Sequence, residues 1–383
     1  GSGGYGMTPV VLTVADIAIG RGKDARRAYG LDEVSIVPAR RTRDLDDVDT
    51  TWEIDAFTFD VPIIASGMDS VVSPATAIAL GELGSVGALN LEGLWTRHDD
   101  PDALLAGLDG LPDEAAWARL REAYAQPIRP ELIRDRVREI RDGGVVSCGA
   151  VTPNRVEALA DAIVAAELDL LVIQGTVVSA EHVTKGNPEP LNLKTFVRRL
   201  DLPVIVGGCS SYRAALHLMR TGAAGILVGV GAGSSSSSRR ILGMGVAQAT
   251  ALADARAARM RHLDETGVYV HLISDGGIVT GGDIAKAIVC GADAVMAGRP
   301  FAAAAEAPGR GWHWGQAAVH ADLPRGHRTP VEPVGTLREV LLGPAGDDAG
   351  GSNLVGALRR TMALTGYDSV KELQKADLVV HPR

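Results

Sequence analysis

Two glycine turns in the C-terminal third are the residues of this sequence best suited to chemistry. Asp275-Gly276-Gly277 follows the apolar run Val268–Ile273, and Gly298-Arg299 follows the apolar run Ala292–Val295. Glycine lets a backbone approach an anion closely, and the start of a following helix offers unpaired N–H groups and the positive end of its dipole. Two such turns on successive strands predict a phosphate site at the C-terminal face of a (β/α)8 barrel, after strands seven and eight.

Asp275 stands directly before the first pair of glycines. A carboxylate there can accept hydrogen bonds from sugar hydroxyls beside a phosphate. The same position also suits the N-cap of a helix, and the sequence alone leaves both interpretations open. Further polar or glycine-rich strand ends are Ser66–Asp69, Asn90, Gln174–Thr176, Gly207–Cys209 and Gly229–Ser234.

The elements that must position these residues follow a repeat. Near-continuous apolar runs alternate with stretches of helical period, which indicates a parallel sheet covered by helices. One such helix is predicted at Tyr212–Thr221 with Gly222 as its stop, and another at Asn154–Ala166. Eight runs predict an α/β fold with a single (β/α)8 TIM barrel: Val61–Ser66, Val86–Asn90, Val145–Ala150, Asp169–Gln174, Val204–Gly208, Gly225–Gly229, Val268–Ile273 and Ala292–Val295.

Segments outside the repeat are assigned to the same domain. Residues 1–7 are predicted to be a flexible leader, and residues 8–383 the barrel domain with an N-terminal extension. Residues 95–141 form a short helical insertion after strand two. Residues 299–383 form a flap and C-terminal tail, with a helix around Asn353–Thr365.

Bulk composition narrows the functional class. The 383 residues are 46% hydrophobic and only 4% aromatic, which is typical of an aliphatic α/β core. The net charge of −9 argues against nucleic acid as a partner. The three cysteines, Cys148, Cys209 and Cys290, show no paired spacing, so we expect a reducing cytoplasm and no resident metal site. No apolar run approaches the ~18 residues of a membrane span.

Several motifs together resemble the IMP dehydrogenase/GMP reductase family, from roughly Arg21 to the C-terminus. The chain looks most like the shorter branch that lacks the regulatory CBS pair, in whose place residues 95–141 stand. The segments that carry the resemblance are Asp32–Pro38, Ala65–Val71, Val228–Ser234, Ser274–Ile278, Gly282–Ala287 and Gly291–Gly298.

The resemblance implies a purine nucleoside monophosphate across the barrel mouth. It assigns the phosphate to Ser234, Gly276, Gly277, Gly298 and Arg299. It assigns the ribose to Asp275, and contacts with the nucleotide to Ser66, Met68 and Gly208. The base would meet Gly315 and Gln316, and an NAD or NADP cofactor would meet Gln174, Gly175 and Thr176. A homo-tetramer and a monovalent cation such as K⁺ near Gly231 and Gly233 are further implications.

The catalytic loop departs from the family pattern. Ser236 stands where the family carries its nucleophilic cysteine, and Ser238 where it carries a partner hydroxyl, within the serine run 234–238. A serine hydroxyl is un-ionised at neutral pH, whereas a cysteine is readily activated as a thiolate. Cys209 is a conceivable substitute nucleophile, although a buried structural role suits its strand-end position better.

Three other positions also differ. Gln174 replaces an aspartate that binds the nicotinamide ribose, Gly208 replaces an asparagine, and His313-Trp314 stand in the tail where no water-activating Arg-Tyr pair is found. Without water activation, GMP reduction with NADPH is favoured over IMP oxidation, because the reductase releases ammonia and needs no hydrolytic step. Open alternatives are an IMP dehydrogenase-like activity, a catalytically silent nucleotide-binding or regulatory protein, an engineered serine at position 236, and altered chemistry on a related nucleotide.

Overall fold

Eight parallel strands form a closed barrel in the computed structural model. The structure describes residues 16–179, 185, 192–233, 238–315, 328–346 and 349–381, so Ser234, Ser236 and Gln316 lie outside the described residues. Each strand pairs in parallel with its sequence neighbours, and the last pairs with the first. The strands are β1 (Ile63–Ala65), β2 (Val86–Asn90), β3 (Cys148–Val151), β4 (Leu170–Gln174), β5 (Val204–Cys209), β6 (Gly225–Val228), β7 (His271–Asp275) and β8 (Ala294–Ala297).

All eight predicted strands are confirmed, with shifted ends. The largest shifts are at β3 and β7, each of which begins three residues later than its apolar run. In the run before β7, Val268 is 54% exposed and precedes the paired residues, so apolar character alone extended the prediction too far. Almost every residue of the eight strands is buried, which is typical of a parallel sheet covered on both faces, and the pairing of β8 with β1 closes it into a barrel.

Helices cover the outside of the barrel. Tyr212–Met219 begins where the Ser211 side chain caps the amide of Ala214 and ends before Gly222, whose φ of +90° suits glycine. This agrees with the predicted start and stop. The helices around the barrel are Pro74–Glu82, Pro130–Asp142, Val156–Ala165, Leu193–Arg199, Tyr212–Met219, Gln248–Thr266, Gly281–Cys290 and Leu354–Thr365.

The N-terminal end of the barrel is closed by a hairpin. Its strands Trp52–Ile54 and Phe57–Phe59 contribute Trp52, Ile54 and Phe59 to the cluster that fills the barrel interior. The Trp52 ring packs edge-on against His271, the first residue of β7, with 6.0 Å between ring centroids. The carboxyl ends of the strands are therefore the open face on which a site can form.

Between β2 and β3 the chain adds two helices to the barrel repeat. We call Pro101–Ala106 and Asp113–Ala125 the inserted helices. They follow the 3₁₀ turn Leu94–Thr96. The next helix, Pro130–Asp142, packs against Pro74–Glu82 and Val156–Ala165 and so occupies the ordinary place of a barrel helix.

The tail after β8 folds back over the carboxyl end. Trp312–His313 pairs antiparallel with Thr329–Pro330, and we call these two segments the flap strands.

In the described part of the chain, no helix combines the length and apolar character needed to cross a bilayer. The remaining elements are the helices Ser238–Leu242, Arg299–Ala302, Leu337–Leu342 and Val370–Leu373, the 3₁₀ turns Leu31–Glu33 and Leu45–Asp47, and the strand pairs Asp16–Gly20 with Lys23–Arg26 and Val34–Ile36 with Leu378–Val380.

Candidate active site

The turn after β7 is built by two left-handed glycines. Gly276 and Gly277 have φ angles of +94° and +76°, a conformation that side-chain-bearing residues rarely adopt. A Cβ on Gly276 would lie 2.7 Å from the backbone nitrogen of Gly233, so this turn lies against the loop after β6. Among the described residues, none accepts a hydrogen bond from the N–H of Gly277. That amide is therefore available to an anion at the mouth.

The helix after this turn does not supply the amides that the sequence predicted. Helix Gly281–Cys290 begins four residues beyond Gly277. Its start is capped by its own residues: the Thr280 hydroxyl accepts from the Asp283 amide at 3.2 Å, and the Asp283 carboxylate accepts from the Val279 and Thr280 amides at 3.0 Å each. The expectation that both glycine turns open directly into a helix is thus correct only after β8, where Arg299–Ala302 follows at once.

Asp275 is the last residue of β7, and the structure excludes its alternative role as a helix cap because Thr280 fills that role. Its Oδ2 accepts a hydrogen bond from Nε2 of Gln174, the last residue of β4, at 2.9 Å. Burial raises the pKa of the Asp275 carboxyl to about 6, partly opposed by the Gln174 hydrogen bond. Gln174, predicted on the cofactor side, therefore touches the residue predicted to bind ribose.

The turns after β1 and β8 meet each other. The Ser66 amide donates to the Ala297 carbonyl at 2.9 Å, and the Met68 amide donates to the Ser66 carbonyl at 2.8 Å. The Met68 sulfur lies 3.1 Å from the position that a Cβ on Gly298 would take. None of the described residues accepts a hydrogen bond from the Gly298 N–H. The two turns thus form a second wall with a free amide.

His313 of the first flap strand packs on the same glycine. Its Cε1 and Nε2 lie 3.3 and 3.6 Å from the Cβ position of Gly298, and its Nδ1 hydrogen-bonds with the Ser70 hydroxyl at 3.0 Å. Burial, together with the nearby Arg299 charge, lowers the pKa of His313 to about 4, so its imidazole is neutral at neutral pH. The sequence marked His313 only as a departure from a family pattern and gave no sign that it faces Gly298.

Gly208 has a packing role at the mouth. Its amide donates to the Gly175 carbonyl at 3.1 Å, and its carbonyl accepts from the Val178 amide at 3.0 Å. A Cβ on Gly208 would lie 2.5 Å from the carbonyl oxygen of Gly229. Gly208 therefore brings the ends of β4, β5 and β6 together, while its own backbone groups are already engaged.

The remaining predicted residues divide between the mouth loops and positions outside the described chain. Thr176 follows Gly175 in the loop after β4, and Gly231, with φ of +71°, and Gly233 lie in the loop after β6. Ser238 is buried at the start of helix Ser238–Leu242. Gly315 follows Trp314, the residue after the first flap strand. Ser234, Ser236 and Gln316 are not described.

None of the three cysteines lies where its thiol would ionise to a thiolate. All three are buried, and the Cys209 thiol donates weakly to the Leu227 carbonyl at 3.4 Å. Burial raises the pKa of Cys209 and of Cys290 to about 12 and raises that of Cys148 further. Cys209 packs in the layer between strands and helices, which matches the structural role that its position predicted.

The fold and the glycine turns at its open face define the chain as a (β/α)8-barrel protein. Residues 28–320 match the model of the IMP dehydrogenase/GMP reductase domain. The chain therefore belongs to the IMP dehydrogenase/GMP reductase family and is an oxidoreductase-family protein, as its motifs predicted.

Relatives cover different shares of the chain. An uncharacterized oxidoreductase of Mycobacterium leprae is 50% identical over 373 residues, which are 95% of this chain and 99% of the relative. Inosine-5'-monophosphate dehydrogenase of Haemophilus influenzae is 33% identical over 279 residues, which are 66% of this chain and 52% of that enzyme. A crystal structure of an IMP dehydrogenase/GMP reductase-like protein from Corynebacterium glutamicum superposes with a TM-score of 0.89 at 45% identity, covering 96% of this chain and 98% of that one.

Proposed function

We propose that the chain binds a purine nucleoside monophosphate at the carboxyl end of the barrel and reduces GMP to IMP with NADPH. The observation that carries the proposal is the arrangement at one mouth of a half-buried carboxyl, Asp275, and two glycine turns whose amides at Gly277 and Gly298 have no acceptor among the described residues. Free backbone amides and a carboxylate at the same mouth suit the phosphate and the ribose of one nucleotide.

Each residue then has a proposed role. Gly276, Gly277 and Gly298 offer backbone to the phosphate, with Ser234 and the Arg299 charge beside them. Asp275 accepts hydrogen bonds from the ribose hydroxyls, oriented by Gln174. Ser66 and Met68 pack against the nucleotide, and Gly315 and Gln316 meet the base. Gly175 and Thr176, next to Gln174, border the space for the nicotinamide cofactor.

The reaction exchanges one group at C2 of the purine. NADPH would supply a hydride to C2, and the 2-amino group would take up a proton from solvent and leave as ammonia, giving IMP and NADP⁺. Ser236 holds the place of the family's nucleophile and Ser238 that of its partner hydroxyl. Reduction is favoured over IMP oxidation since it needs no activated water, and the flap carries His313-Trp314 in place of a water-activating pair.

A second candidate is a nucleotide-binding protein without turnover. It is favoured by one specific observation: the loop 234–238 holds only serines, and all three cysteines are buried with raised thiol pKa values. A serine hydroxyl attacks far less readily than a thiolate at neutral pH. This candidate keeps every binding role proposed above and removes only the covalent step.

Calorimetry followed by absorbance separates the candidates. GMP, IMP and XMP are titrated into the protein, and NADPH consumption with GMP and NADH formation with IMP and NAD are then followed. Binding of GMP with NADPH consumption supports the reductase. Binding without turnover in either mixture supports the silent binder, NADH formation supports the dehydrogenase alternative, and absence of binding by all three nucleotides contradicts the proposed function.

A further inference from the structure

The inserted helices and the loop between them contact the residues that flank the flap strands at three places. The Arg310 guanidinium, just before the first flap strand, pairs with the Asp109 carboxylate, with Nε 3.1 and 3.0 Å from its two oxygens. Arg328, which is 3% exposed on its side chain, pairs with Asp113 at 2.7 Å. The third contact joins Tyr124 to Trp314. The insertion and the flap are thus one connected structure above the mouth.

The Tyr124 contact is the one that reaches the mouth. Its hydroxyl accepts a hydrogen bond from Trp314 Nε1 at 2.9 Å and donates its own proton to Asp69 Oδ2 at 2.6 Å. Asp69 is 1% exposed, and its Oδ2 also accepts from the Leu94 amide at 2.9 Å. Its Oδ1 has no hydrogen-bond partner within the described chain. The Tyr124 hydroxyl is therefore fixed in direction, with one acceptor and one donor.

From Trp314 the contacts continue to the wall formed by the turns after β1 and β8. The Trp314 amide donates to the Ser70 hydroxyl oxygen at 3.3 Å, and the same hydroxyl hydrogen-bonds with His313 Nδ1. His313 in turn packs on Gly298. Asp69 and Ser70 follow Met68 in sequence, so the loop after β1 holds both ends of this connection.

We propose that Tyr124 is a positioning residue for the nucleotide site. By holding the Trp314 indole close to Asp69, it sets the backbone of the flap so that His313 lies against Gly298. The inference rests on the proposed function, because it takes the Gly298 turn to be part of the nucleotide site. The insertion after β2 thereby acts on ligand binding without itself lining the mouth.

Tyr124→Phe tests the role with little change in shape. The ring stays, but Trp314 Nε1 loses its acceptor and Asp69 loses its donor. Without these two hydrogen bonds the flap is no longer held against Gly298, so we expect GMP to bind roughly tenfold more weakly. Asp109→Asn is the matched control, because it removes the charge from another insertion–flap contact between half-exposed side chains, for which we expect less than about twofold change in Kd.

The readouts are the GMP Kd by calorimetry, the thermal midpoint, and the indole ¹H–¹⁵N resonances of protein labelled on tryptophan. The Trp314 resonance, identified with Trp314→Phe, should shift upfield in Tyr124→Phe. Weaker GMP binding in Tyr124→Phe and Trp314→Phe, with Asp109→Asn unchanged, supports the role. If Tyr124→Phe fails to fold, Trp314→Phe carries the same expectation.

Unchanged GMP affinity in Tyr124→Phe, or equal weakening in Asp109→Asn, overturns the positioning role while leaving the proposed function intact. An indole resonance that does not move overturns it as well, since the hydrogen bond would then be absent. If the wild type binds no purine nucleotide, the proposed function fails instead, and the indole shift still reports whether Tyr124 holds Trp314.

Discussion

Asp275→Asn should separate recognition of the ribose from recognition of the phosphate. The Asp275 carboxyl is half-buried at the end of β7, with Gln174 at 2.9 Å as its side-chain partner. An asparagine keeps the shape and can still accept one hydrogen bond, but it carries no charge. The perturbation therefore removes a charge-assisted contact and leaves the turns at Gly277 and Gly298 in place.

The magnitude follows from the contacts and from the raised pKa. A hydrogen bond to a charged group contributes about 1.5–3 kcal/mol, so the variant should bind GMP about 10- to 150-fold more weakly at pH 7.5. Because the pKa of the Asp275 carboxyl is about 6 and the ribose hydroxyls bind its ionised form, wild-type affinity should fall by about tenfold between pH 7.5 and pH 5. The variant lacks this loss, so the difference between the two proteins should shrink by the same factor.

The assay is calorimetry with GMP and with 2',3'-dideoxy-GMP for both proteins at pH 7.5 and pH 5. Titration of the phosphate is common to wild type and variant and cancels in their ratio. We expect the wild type to prefer GMP strongly and Asp275→Asn to keep only a small preference for GMP, because its amide still accepts one uncharged hydrogen bond. Equal preference for GMP in the two proteins, or a wild-type-to-variant ratio that does not change with pH, would refute the assignment of Asp275 to the ribose.

Three further predictions address the phosphate turn, a buried carboxyl and the catalytic loop. Gly298→Ala places a Cβ 3.1 Å from the Met68 sulfur and should weaken GMP binding about tenfold by calorimetry, whereas Gly282→Ala, whose Cβ meets ordinary contacts at 3.5 Å, should not. Burial raises the pKa of Asp69 from 3.8 to about 6, so the stability conferred by its protonated form is complete below pH 4 and is lost as pH rises through 6. In urea unfolding, the free energy of unfolding of the wild type minus that of Asp69→Asn should therefore fall by up to about 3 kcal/mol between pH 4 and pH 7. Ser236→Cys should increase NADPH consumption with GMP at least about tenfold, because a thiol ionises far more readily.

Each of these has a contrary outcome. If Gly298→Ala and Gly282→Ala changed the affinity for GMP equally, the turn after β8 would not contact the ligand. An unfolding difference for Asp69→Asn that is flat with pH would mean that this carboxyl is not raised in the folded protein. Absence of any NADPH consumption by Ser236→Cys in a protein that binds GMP would favour the silent binder over the reductase.

The barrel could be predicted from the sequence because its signals are local. Each strand is a short apolar run, and stops such as Gly222 act within one turn of the chain. The glycines at 276 and 277 were also visible, since their left-handed backbone needs that residue type. The late start of the next helix could not be predicted in this way, because the glycines suggest a helix start directly after them. The actual start is set by the capping pair Thr280 and Asp283 further along the chain.

The contacts across the mouth could not be predicted in the same way. Gln174 and Asp275 are 101 residues apart, and Tyr124 and Trp314 are 190 apart. Pairs at such separations leave no periodic pattern in a single sequence; they form only when the closed barrel brings strand ends together. For the same reason the sequence shows His313 only as a departure from the family's water-activating pair, whereas the fold places it against Gly298.

The central claim is that the turns after β7 and β8 bind the phosphate of a purine nucleotide. A crystal structure of the protein with GMP tests this most directly. The account predicts the phosphate within hydrogen-bond distance of the Gly277 and Gly298 amides, with the ribose hydroxyls on Asp275. GMP located elsewhere, or those two amides bonded to protein while GMP is present, would contradict it.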